Sequence, residues 1–396
     1  MAAMNDHLSP QAVEFSTAEM RRYSRHLILP DFGLTGQKML KAARVLIIGV
    51  GGLGSPVSLY LAAAGVGTLG LVDYDRVDET NLQRQIAHGT AHVGQLKVDS
   101  ARARLLDINP HIDVVTYAEP FTSANALEIA RAYDVLVDGT DNFPNRYLSN
   151  DVGVLLGKPN IYGSVFRYEG QASVFGLKDG PCYRCLFPTP PPPNSVPSCG
   201  EGGVLGVLPG VIGLVQATET IKVILGLGQT LSGYLLVYDA LTMTFEKIKL
   251  KKDPECVICS DHPTLDHLID YDEFCGFPKA GATETEPPEW VIAPLELAAR
   301  MSDPNLPPLR LIDVREPHEW EFAHIPGAEL IPLDQLQDRL GELDPVDDIV
   351  VYCRADRRAD EALDLLHAFD FAKVRKLKGG LVAWARDVDP EMPTYW

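Results

Sequence analysis

The sequence predicts an α/β protein with a doubly wound, mostly parallel sheet, an antiparallel extension and a second, smaller α/β unit. Three observations support this prediction. Apolar and helical stretches alternate from Ala43 to Asp138, a rhythm typical of βαβ units. Two stretches that resemble hairpins follow Pro159. A polar segment rich in Pro and Gly, "GFPKAGATETEPPEW", then precedes a second alternation of strands and helices.

Periodicity and turn residues locate the individual elements. Short apolar runs bounded by Gly, Asp or Asn predict buried strands, and small or helically spaced residues between them predict crossover helices. The helix over Gln95–Asp107 stops before Pro110, which cannot continue it. The predicted strands of the first part are Ala43–Val50, Thr68–Asp73, Asp113–Tyr117 and Asp134–Asp138, and its first helix is Pro56–Ala64.

The later part of the chain predicts different connections. "IYGSVFRYEGQASVFG" is interpreted as an antiparallel hairpin that turns at Glu169-Gly170, and "YLLVYDALTMTFEKIKL" as a second hairpin. Further on, "LRLIDVR", "DIVVYC" and "KVRKL" predict strands, with helices over Asp334–Leu343 and Ala359–Ala368. We therefore predict a Rossmann-like first domain over residues 1–275, a linker over 276–289 and a second domain over 290–396.

Composition and charge disfavour some classes of function. The formal net charge of −19 argues against a general binder of nucleic acid or of anionic membranes, since both need a basic face. The first residues, "MAAMNDHLSP", lack the apolar segment of a secretion signal. "GVLGVLPGVIGLV" is too short to cross a bilayer, so we interpret it as a buried helix. We expect a cytoplasmic protein whose seven cysteines are thiols, metal ligands or catalysts rather than disulfides.

The stretch "VLIIGVGGLG" predicts a strand that enters a tight glycine turn. Gly49, Gly51 and Gly54 have the G-x-G-x-x-G spacing of turns that hold a pyrophosphate, and Gly52 lies between them. Asp73 follows Gly54 by 19 residues, at the end of the second strand, where a carboxylate can bind ribose hydroxyls. NAD and ATP both carry such a ribose, and a turn without a ligand has the same pattern. The motif alone therefore leaves all three interpretations open.

Charged residues after the second strand favour a triphosphate over a dinucleotide. "NLQRQ" supplies Asn81 and Arg84, and "GQLKV" supplies Lys97. A triphosphate that undergoes substitution needs cations near its reacting phosphorus, whereas a dinucleotide needs no such concentration of charge. The alternative for Arg84 and Lys97 is ordinary solvated surface charge. "DGTDN" places Asp138 and Asp141 at a strand end, where a carboxylate can hold Mg²⁺.

Four cysteines form two C-x-x-C pairs. Cys182 and Cys185 form the first pair, and Cys256 and Cys259 form the second. Each pair alone could be a redox dithiol or two buried small residues. Two pairs in one cytosolic chain favour a single Cys₄ site for a structural Zn²⁺, in which thiolates fill all four ligand positions and leave none for water.

The other three cysteines differ in their surroundings. Cys353 ends the strand "DIVVYC" and is predicted to open a helix, with "RADRR" directly behind it. A helix N-terminus and nearby guanidiniums lower a thiol pKa, so we expect Cys353 to be largely thiolate. Cys199 lies in the proline-rich "FPTPPPPNSVPSCGEGG", where an incidental thiol is the alternative to a reactive one. No role is assigned to Cys275.

Taken together, these motifs resemble two known families. "RYSRHLILPDFG", "VLIIGVGGLGSP", "LVDYDRVDETNLQRQ", "GQLKV", "INPHI", "DGTDN" and "GQASVF" with "PCYRCLFP" resemble the adenylyltransferases of molybdopterin and thiamin biosynthesis, which are relatives of the ubiquitin-activating enzyme. This resemblance covers roughly residues 15–260. "LIDVREPHEWEFAHIPGAELIP", "VVYCRADRRA" and "LKGGLVAWA" resemble a rhodanese sulfurtransferase domain over roughly residues 290–396.

The first resemblance implies that the nucleotide is ATP rather than NAD. It implies that Asp73 binds the ribose and that the glycine turn cradles phosphates. It also implies that Asn81, Arg84 and Lys97 contact the phosphates and that Asp141 coordinates Mg²⁺.

Further residues match the families one by one. Arg25, in "YSRHLIL", matches an arginine that adenylyltransferases of this family contribute across a homodimer interface. Cys199 matches a loop cysteine that some members use covalently, and Cys353 matches the persulfide-carrying cysteine of rhodaneses. The rhodanese loop often reads C-R-x-G-x-R-S, whereas this chain has Asp356 in place of the glycine and Ala359 in place of the serine. A carboxylate beside a persulfide anion is unfavourable, so this departure bears on the rate and on the sulfur donor.

The fused order of the two domains implies a function. A carrier protein of the ubiquitin fold, ending in Gly-Gly, would be adenylylated by ATP at its C-terminal carboxylate. Cys353, loaded by a cysteine desulfurase or another persulfide donor, would then attack the adenylate. Cys199 would release a thiocarboxylate or would form a thioester first. Molybdopterin, thiamin and tRNA thiolation pathways all stay open. Two alternatives are a rhodanese domain that only docks the carrier and an NAD-dependent dehydrogenase.

Overall fold

The structure, a computed structural model, describes residues 13–192, 202–276 and 287–394. The chain divides into two compact units, Met1–Lys279 and Ala280–Trp396. The predicted reactive cysteine Cys199 and most of the predicted linker over 276–289 lie outside the described residues.

Within the described residues, the first unit is built on an eight-stranded sheet in the order β3-β2-β1-β4-β5-β6-β7-β8. Neighbours from β3 to β5 are parallel, and those from β5 to β8 are antiparallel. This arrangement confirms the predicted doubly wound sheet with an antiparallel extension. The strands are β1 (Arg44–Ile48), β2 (Thr68–Val72), β3 (Asp113–Tyr117), β4 (Val135–Asp138), β5 (Asn160–Phe166), β6 (Glu169–Phe175), β7 (Tyr234–Asp239) and β8 (Thr244–Lys249).

Helices flank this sheet and begin and end at residues suited to those positions. The seventh helix starts after Asn142, whose side chain accepts from the Asn145 N–H (3.0 Å), and ends before Gly157 with φ +65°. The described helices of this unit are α1 (Thr17–Arg22), α2 (Ser24–Leu27), α3 (Gly33–Ala42), α4 (Gly54–Ala64), α5 (Lys97–Ile108), α6 (Ala126–Arg131), α7 (Phe143–Leu156), α8 (Tyr183–Leu186), α9 (Leu208–Leu225) and α10 (Tyr271–Phe274).

The parallel strands are apolar on both faces because helices cover both. Val45 and Ile47 of β1 pack in the core that includes side chains of α4, α5 and α9, whereas Leu46 and Ile48 pack with α6 and α7. All five residues of β2 are buried. Continuous apolar runs are the expected sequence of such two-sided burial, which is why these strands could be predicted.

Helix α9 is the described helix that is long and apolar enough to cross a membrane by length and composition alone. Most of it is buried, and it packs against α4, β5 and β6. Its Gln216 side chain donates to the carbonyls of Asp138 (2.7 Å) and Ile161 (3.0 Å). These contacts are those of a core helix in the first unit, as the sequence predicted.

The first hairpin turns two residues earlier than predicted. Strand β5 ends at Phe166, and Arg167, with φ +51°, makes the turn. Gly170 is instead a strand residue, on which a Cβ would lie 2.4 Å from the Ile212 side chain of α9. The glycine is therefore required by the close approach of the helix, and its presence misled the prediction of a Glu-Gly turn.

In the second unit, the described strands form a smaller sheet in the order β11-β10-β12-β13-β9, with all pairs parallel. Its strands are β9 (Val291–Ile292), β10 (Arg310–Asp313), β11 (Glu329–Leu330), β12 (Ile349–Tyr352) and β13 (Val374–Leu377). Its helices are α11 (Pro294–Ser302), α12 (Pro317–Phe322), α13 (Leu333–Leu336), α14 (Arg357–Ala368) and α15 (Gly380–Asp387).

The helix predicted over Asp334–Leu343 is wrong in its extent. The structure has the short α13 followed by a separate 3₁₀ turn, Leu340–Glu342. Gly341 lies in that turn, and glycine weakens a continuous helix. The apolar residues Leu336 and Leu343 still reach the core of the second unit, which explains why their spacing looked helical.

Candidate active sites and metal centre

The glycine turn joins β1 to α4 through a close backbone contact. Gly49 has φ +86°, in the left-handed region that favours glycine. A Cβ on Gly54 would lie 2.0 Å from the Gly49 carbonyl oxygen, so no other residue fits there. Gly49, Gly51 and Gly52 line a cleft at the carboxyl ends of the parallel strands, whereas Gly54 is buried at the start of α4. Gly54 therefore shapes the turn, and the other three glycines face the cleft.

Side chains from two other elements hold the peptide groups of Val50 within this turn. The Val50 N–H donates to Asp73 Oδ2 (2.8 Å), just beyond β2. The Val50 carbonyl accepts from His88 Nε2 (3.0 Å), and His88 Nδ1 lies 3.0 Å from Ser100 Oγ on α5. Burial lowers the pKa of His88, so we assign a neutral ring at pH 7 with its proton on Nε2. Sequence reasoning missed His88, whose only signal was its position just after "NLQRQ".

Asp73 both supports the turn and lines the cleft. Its Oδ1 accepts from the Asp75 N–H (2.9 Å), while its Oδ2 accepts from Val50. Burial raises the pKa of Asp73, and the charge of Lys97 opposes that rise. Each carboxylate oxygen can accept a second hydrogen bond. The carboxylate can therefore hold the turn and accept from hydroxyl groups of a ligand at the same time.

Three cationic side chains line the same cleft: Arg84, Lys97 and Arg146. The Lys97 side chain is only 8% exposed, and its Nζ lies 2.8 Å from Asp75 Oδ2. It is therefore not an ordinary solvated surface charge. Arg146 lies in the first part of α7, with its guanidinium 5.8 Å from the Tyr162 ring centroid. Sequence reasoning missed Arg146, although a helix that starts just beyond a parallel strand was a usable signal.

The two carboxylates at the end of β4 have different surroundings. Asp138 is fully buried and accepts from the Thr140 N–H (3.0 Å), from Thr140 Oγ1 (2.6 Å) and from Ser149 Oγ (2.7 Å). Burial raises the pKa of Asp138, and these hydrogen bonds oppose that rise. Asp141 is exposed and lines the cleft. Of this pair, Asp141 is therefore the carboxylate placed to hold a cation.

Besides Gly54, two predicted nucleotide-site residues are not part of the cleft lining. The Asn81 carbonyl accepts from the N–H groups of Arg84 (3.1 Å) and Gln85 (2.9 Å). The Asn81 carbonyl thus supports the backbone of Arg84 and Gln85, and the latter two residues line the cleft. Arg25 is exposed on α2 and does not line the cleft of its own chain. Its predicted role requires a second copy of the chain.

The two C-x-x-C pairs, far apart in sequence, form one cluster. The Sγ–Sγ distances are 3.9 Å for Cys182–Cys185, 3.6 Å for Cys182–Cys256 and 3.4 Å for Cys185–Cys259. All four sulfurs lie within 4.8 Å of one another. Thiolates bound tetrahedrally at about 2.3 Å from Zn²⁺ stand about 3.8 Å apart. The cluster therefore has the size of a Cys₄ zinc site. Cys275 is buried elsewhere in the unit, and burial raises the pKa of its thiol to about 11.

Cys353 lies at the end of β12, but it does not open a helix. The next helix, α14, begins at Arg357, so a short loop intervenes and this part of the prediction is wrong. The residue is only 2% exposed. Burial raises the pKa of the Cys353 thiol, while nearby backbone N–H groups and Arg358 oppose the rise. Desolvation therefore opposes the predicted ionisation of this thiol, and it outweighs the effect of these groups.

An ion pair explains why the arginine-rich sequence misled that expectation. Arg358 donates to Glu319 of α12 through both terminal nitrogens, at 2.5 Å and 2.7 Å. Glu319 is itself buried. This bidentate pair neutralises the Arg358 charge beside the loop, and no sequence motif indicated that α12 would lie there.

Comparisons with known proteins identify the family. Residues 23–258 match the ThiF family, and residues 293–387 match the rhodanese-like domain. The probable adenylyltransferase/sulfurtransferase MoeZ of Mycobacterium tuberculosis is 48% identical over 391 residues, covering 97% of each chain. The adenylyltransferase and sulfurtransferase MOCS3 of Culex quinquefasciatus is 44% identical over 395 residues, covering 95% of this chain and 90% of that protein. The chain therefore belongs to the ThiF family and carries a rhodanese-like domain, in the class of adenylyltransferases and sulfurtransferases. Both resemblances seen in the sequence are confirmed.

Solved structures of MccB from E. coli share the fold of the first unit. One has a TM-score of 0.56 at 23% identity and covers 65% of this chain and 76% of MccB. The structure of MccB with ATP has a TM-score of 0.52 at 24% identity and covers 60% of this chain and 74% of MccB. At this identity the likeness is one of fold.

We expect alkylation of Cys353 by iodoacetamide to be slow at pH 7 and to accelerate as the pH rises above 9.0, the ordinary value for a thiol. The reason is that only the thiolate reacts and burial disfavours it. The measurement is mass spectrometry of the peptide that carries Cys353, after removal of any bound sulfur with a reductant. Glutathione serves as the exposed-thiol control. A rate that has already reached its plateau at pH 7 would show that the loop lowers the thiol pKa after all.

Proposed function

We propose that this protein uses ATP to adenylylate the C-terminal carboxylate of a ubiquitin-fold sulfur-carrier protein and then converts that carboxylate to a thiocarboxylate. One observation carries the proposal. The same chain holds a glycine-turn cleft lined by Asp73, Arg84, Lys97 and Asp141 and a separate sulfurtransferase unit with Cys353 at a strand end. Membership of a class that performs both reactions supports it.

In the first step the carrier carboxylate attacks the α-phosphorus of ATP, and pyrophosphate leaves. Asp73 would accept hydrogen bonds from the ribose hydroxyls, and the glycine turn would let the phosphates approach the backbone closely. Arg84 and Lys97 would neutralise the charge that develops on the phosphates. Asp141 would hold Mg²⁺, which adds to this neutralisation when it is bound. The resulting acyl adenylate has AMP as its leaving group, which departs far more readily than the oxide of a carboxylate.

We further propose that Arg25 acts in the cleft of a second copy within a homodimer. It is exposed and lies outside its own cleft. The neighbouring Ile28 and Leu29 are 70% and 49% exposed, and such adjacent apolar side chains are typical of a surface that another chain covers. A guanidinium supplied by the partner would increase the positive charge around the reacting phosphates.

In the second step a persulfide on Cys353 attacks the carbonyl carbon of the adenylate, and AMP leaves. The carrier is then joined to Cys353 as an acyl disulfide. Attack of the Cys199 thiolate on Cys353 Sγ would release the carrier as a thiocarboxylate and leave a Cys353–Cys199 disulfide, which a thiol reductant would reduce for the next cycle. A Cys199 thioester formed first is the alternative order. The terminal sulfur would come from a cysteine desulfurase or another persulfide donor.

Zinc and the cellular setting complete the proposal. Cys182, Cys185, Cys256 and Cys259 would hold a structural Zn²⁺, since four thiolates leave no open position for a reacting water. Zinc thiolates and a persulfide cysteine both need a reducing compartment, so we propose the cytoplasm. Molybdopterin synthesis, thiamin synthesis and tRNA thiolation are the candidate pathways, and a pull-down with candidate carriers would choose between them.

We expect Asp141→Ala to reduce carrier-dependent ATP–pyrophosphate exchange by at least about a hundredfold, because it removes the exposed carboxylate proposed to hold Mg²⁺ in the cleft. The exchange of radiolabelled pyrophosphate into ATP measures this step directly. Asp107→Ala, at an exposed carboxylate on α5, is the matched control. Near-normal exchange with an unchanged Mg²⁺ requirement would rule out the proposed role.

We expect one zinc per chain, and its loss in Cys256→Ser together with reduced thermal stability of the first unit, because zinc binding is part of the folding free energy. Metal analysis and calorimetry of purified protein provide the two measurements. Cys275→Ser, which changes a buried cysteine outside the cluster, should keep its zinc. Purified wild-type protein without zinc, and with four titratable thiols in these pairs, would contradict the site.

We expect Cys353→Ala to leave pyrophosphate exchange unchanged and to stop thiocarboxylate formation, because no thiol takes part in adenylylation. Mass spectrometry of the carrier detects replacement of its terminal oxygen by sulfur. Cys199→Ala should also spare exchange but slow product release. If Cys353→Ala yields thiocarboxylate at the wild-type rate from a persulfide donor, the rhodanese domain is a docking module instead.

A further inference from the structure

Three hydrogen bonds tie Cys353 and the loop that follows it to the turn formed by Gly379 and the first residues of α15. The Leu381 N–H donates to the Cys353 carbonyl (2.9 Å), and the Val382 N–H donates to the Arg354 carbonyl (3.1 Å). The third bond runs from the Gly379 N–H to a side chain, Asp356 Oδ1, at 2.8 Å. Asp356 thus provides the side-chain bond that joins the last loop residue to this turn.

The packing of the turn leaves little room for any other arrangement. Gly379 and Gly380 have φ values of +71° and +56°. A Cβ on Gly380 would lie 2.3 Å from the Ala355 carbonyl oxygen and 2.5 Å from that of Cys353. Because the loop carbonyls are directed to this turn, the loop N–H groups remain available on the side of the sulfur. The N–H group of Ala355 in the loop and those of Arg358 and Ala359 in the first turn of α14 lie within reach of Cys353 and favour its ionised form.

A buried lysine compensates the charge of Asp356. Lys376, at 3% exposure, lies with its Nζ 3.9 Å from Asp356 Oδ1 and makes a second ion pair with Asp360 of α14. The carboxylate therefore bonds Gly379 and faces an ammonium, which reduces its repulsion of a persulfide anion. Asp356 has φ −128°, so the backbone at this position does not require the glycine that rhodaneses often have there.

We propose that Asp356 is a positioning residue that fixes the sulfur-carrying loop through its bond to the Gly379 N–H, with Lys376 as its compensating charge. This role rests on the proposed function in one respect, namely that Cys353 carries the sulfur. It replaces the conformational freedom of a glycine with a side-chain hydrogen bond, and the Lys376 ammonium 3.9 Å from the carboxylate reduces its repulsion of a sulfur anion.

The test compares Asp356→Ala, Asp356→Asn and Asp356→Gly in the full chain. Asparagine keeps an oxygen that accepts from Gly379, whereas alanine and glycine remove it. Thiosulfate as donor and cyanide as acceptor probe the sulfur step, since the outer sulfur passes to Cys353 as sulfite leaves and then to cyanide as thiocyanate. We expect kcat to fall about tenfold in the alanine and glycine variants and to stay near wild type in the asparagine variant. Asp364→Ala, at an exposed position of α14, is the matched control.

The pH profile of Cys353 alkylation supplies a readout that a loss of stability alone would not change. We expect the profile of Asp356→Ala to move to higher pH, because loop N–H groups that are no longer fixed stabilise the thiolate less, while Asp356→Asn should follow wild type. An asparagine variant as impaired as alanine, or an alanine variant equal to wild type in both assays, would overturn the proposal.

The same assays separate this proposal from the proposed function. If Cys353→Ala moves sulfur from thiosulfate to cyanide as fast as wild type, the sulfur-carrying role of Cys353 fails. The alkylation profiles of the Asp356 variants then decide the positioning role by themselves. Pyrophosphate exchange should be unchanged in every Asp356 variant, and a loss of exchange in Asp356→Asn would contradict a role confined to the sulfur loop.

Discussion

The contact between Gly54 and the carbonyl of Gly49 is the constraint on which the nucleotide cleft depends. It allows α4 to begin directly beside the end of β1. A Cβ on Gly139, just beyond β4, would also lie 2.7 Å from the Gly49 carbonyl oxygen. The ends of two neighbouring strands thus meet at one carbonyl, with no side chain between them. The cleft lies at this junction because the parallel order brings the carboxyl ends of β1, β2 and β4 to the same edge.

Three of the buried charged groups in or beside the cleft already have partners. Asp73 binds the turn, Asp138 is satisfied by hydroxyl and backbone donors, and Lys97 is paired with Asp75. A buried charge without such partners would cost several kcal/mol. The paired groups can therefore stay in place before a ligand enters, which lowers the reorganisation that reaction at a phosphate requires. Asp141 differs because it remains exposed in the cleft.

The second unit uses a related arrangement for a different chemistry. As in the nucleotide cleft, a strand ends in a loop that packs against the backbone of a glycine. Here the strand is β12 and the glycine is Gly380. The difference is the burial of Cys353, which raises the pKa of its thiol. A protonated, buried thiol is slow to react with oxidants. In a persulfide the reactive atom is the outer sulfur, which lies one bond beyond Cys353 Sγ. The burial of Sγ therefore does not limit the reactivity of the outer sulfur in the same way.

The sequence by itself determined the elements and motifs that depend on local order. The apolar runs predicted parallel strands, and Asp113–Tyr117 was placed to the residue. The glycine spacing and the two C-x-x-C pairs predicted a phosphate turn and a single metal cluster. Only the tertiary structure placed Arg146 in the lining of the cleft and joined His88 to the Val50 carbonyl of the glycine turn. It also turned Gly170 into a packing position, raised the pKa of Cys353 by burial and joined Asp356 to Gly379. Each of these outcomes depends on a contact between residues far apart in the chain or on the removal of water from a charge, and neither can be read from spacing along the sequence.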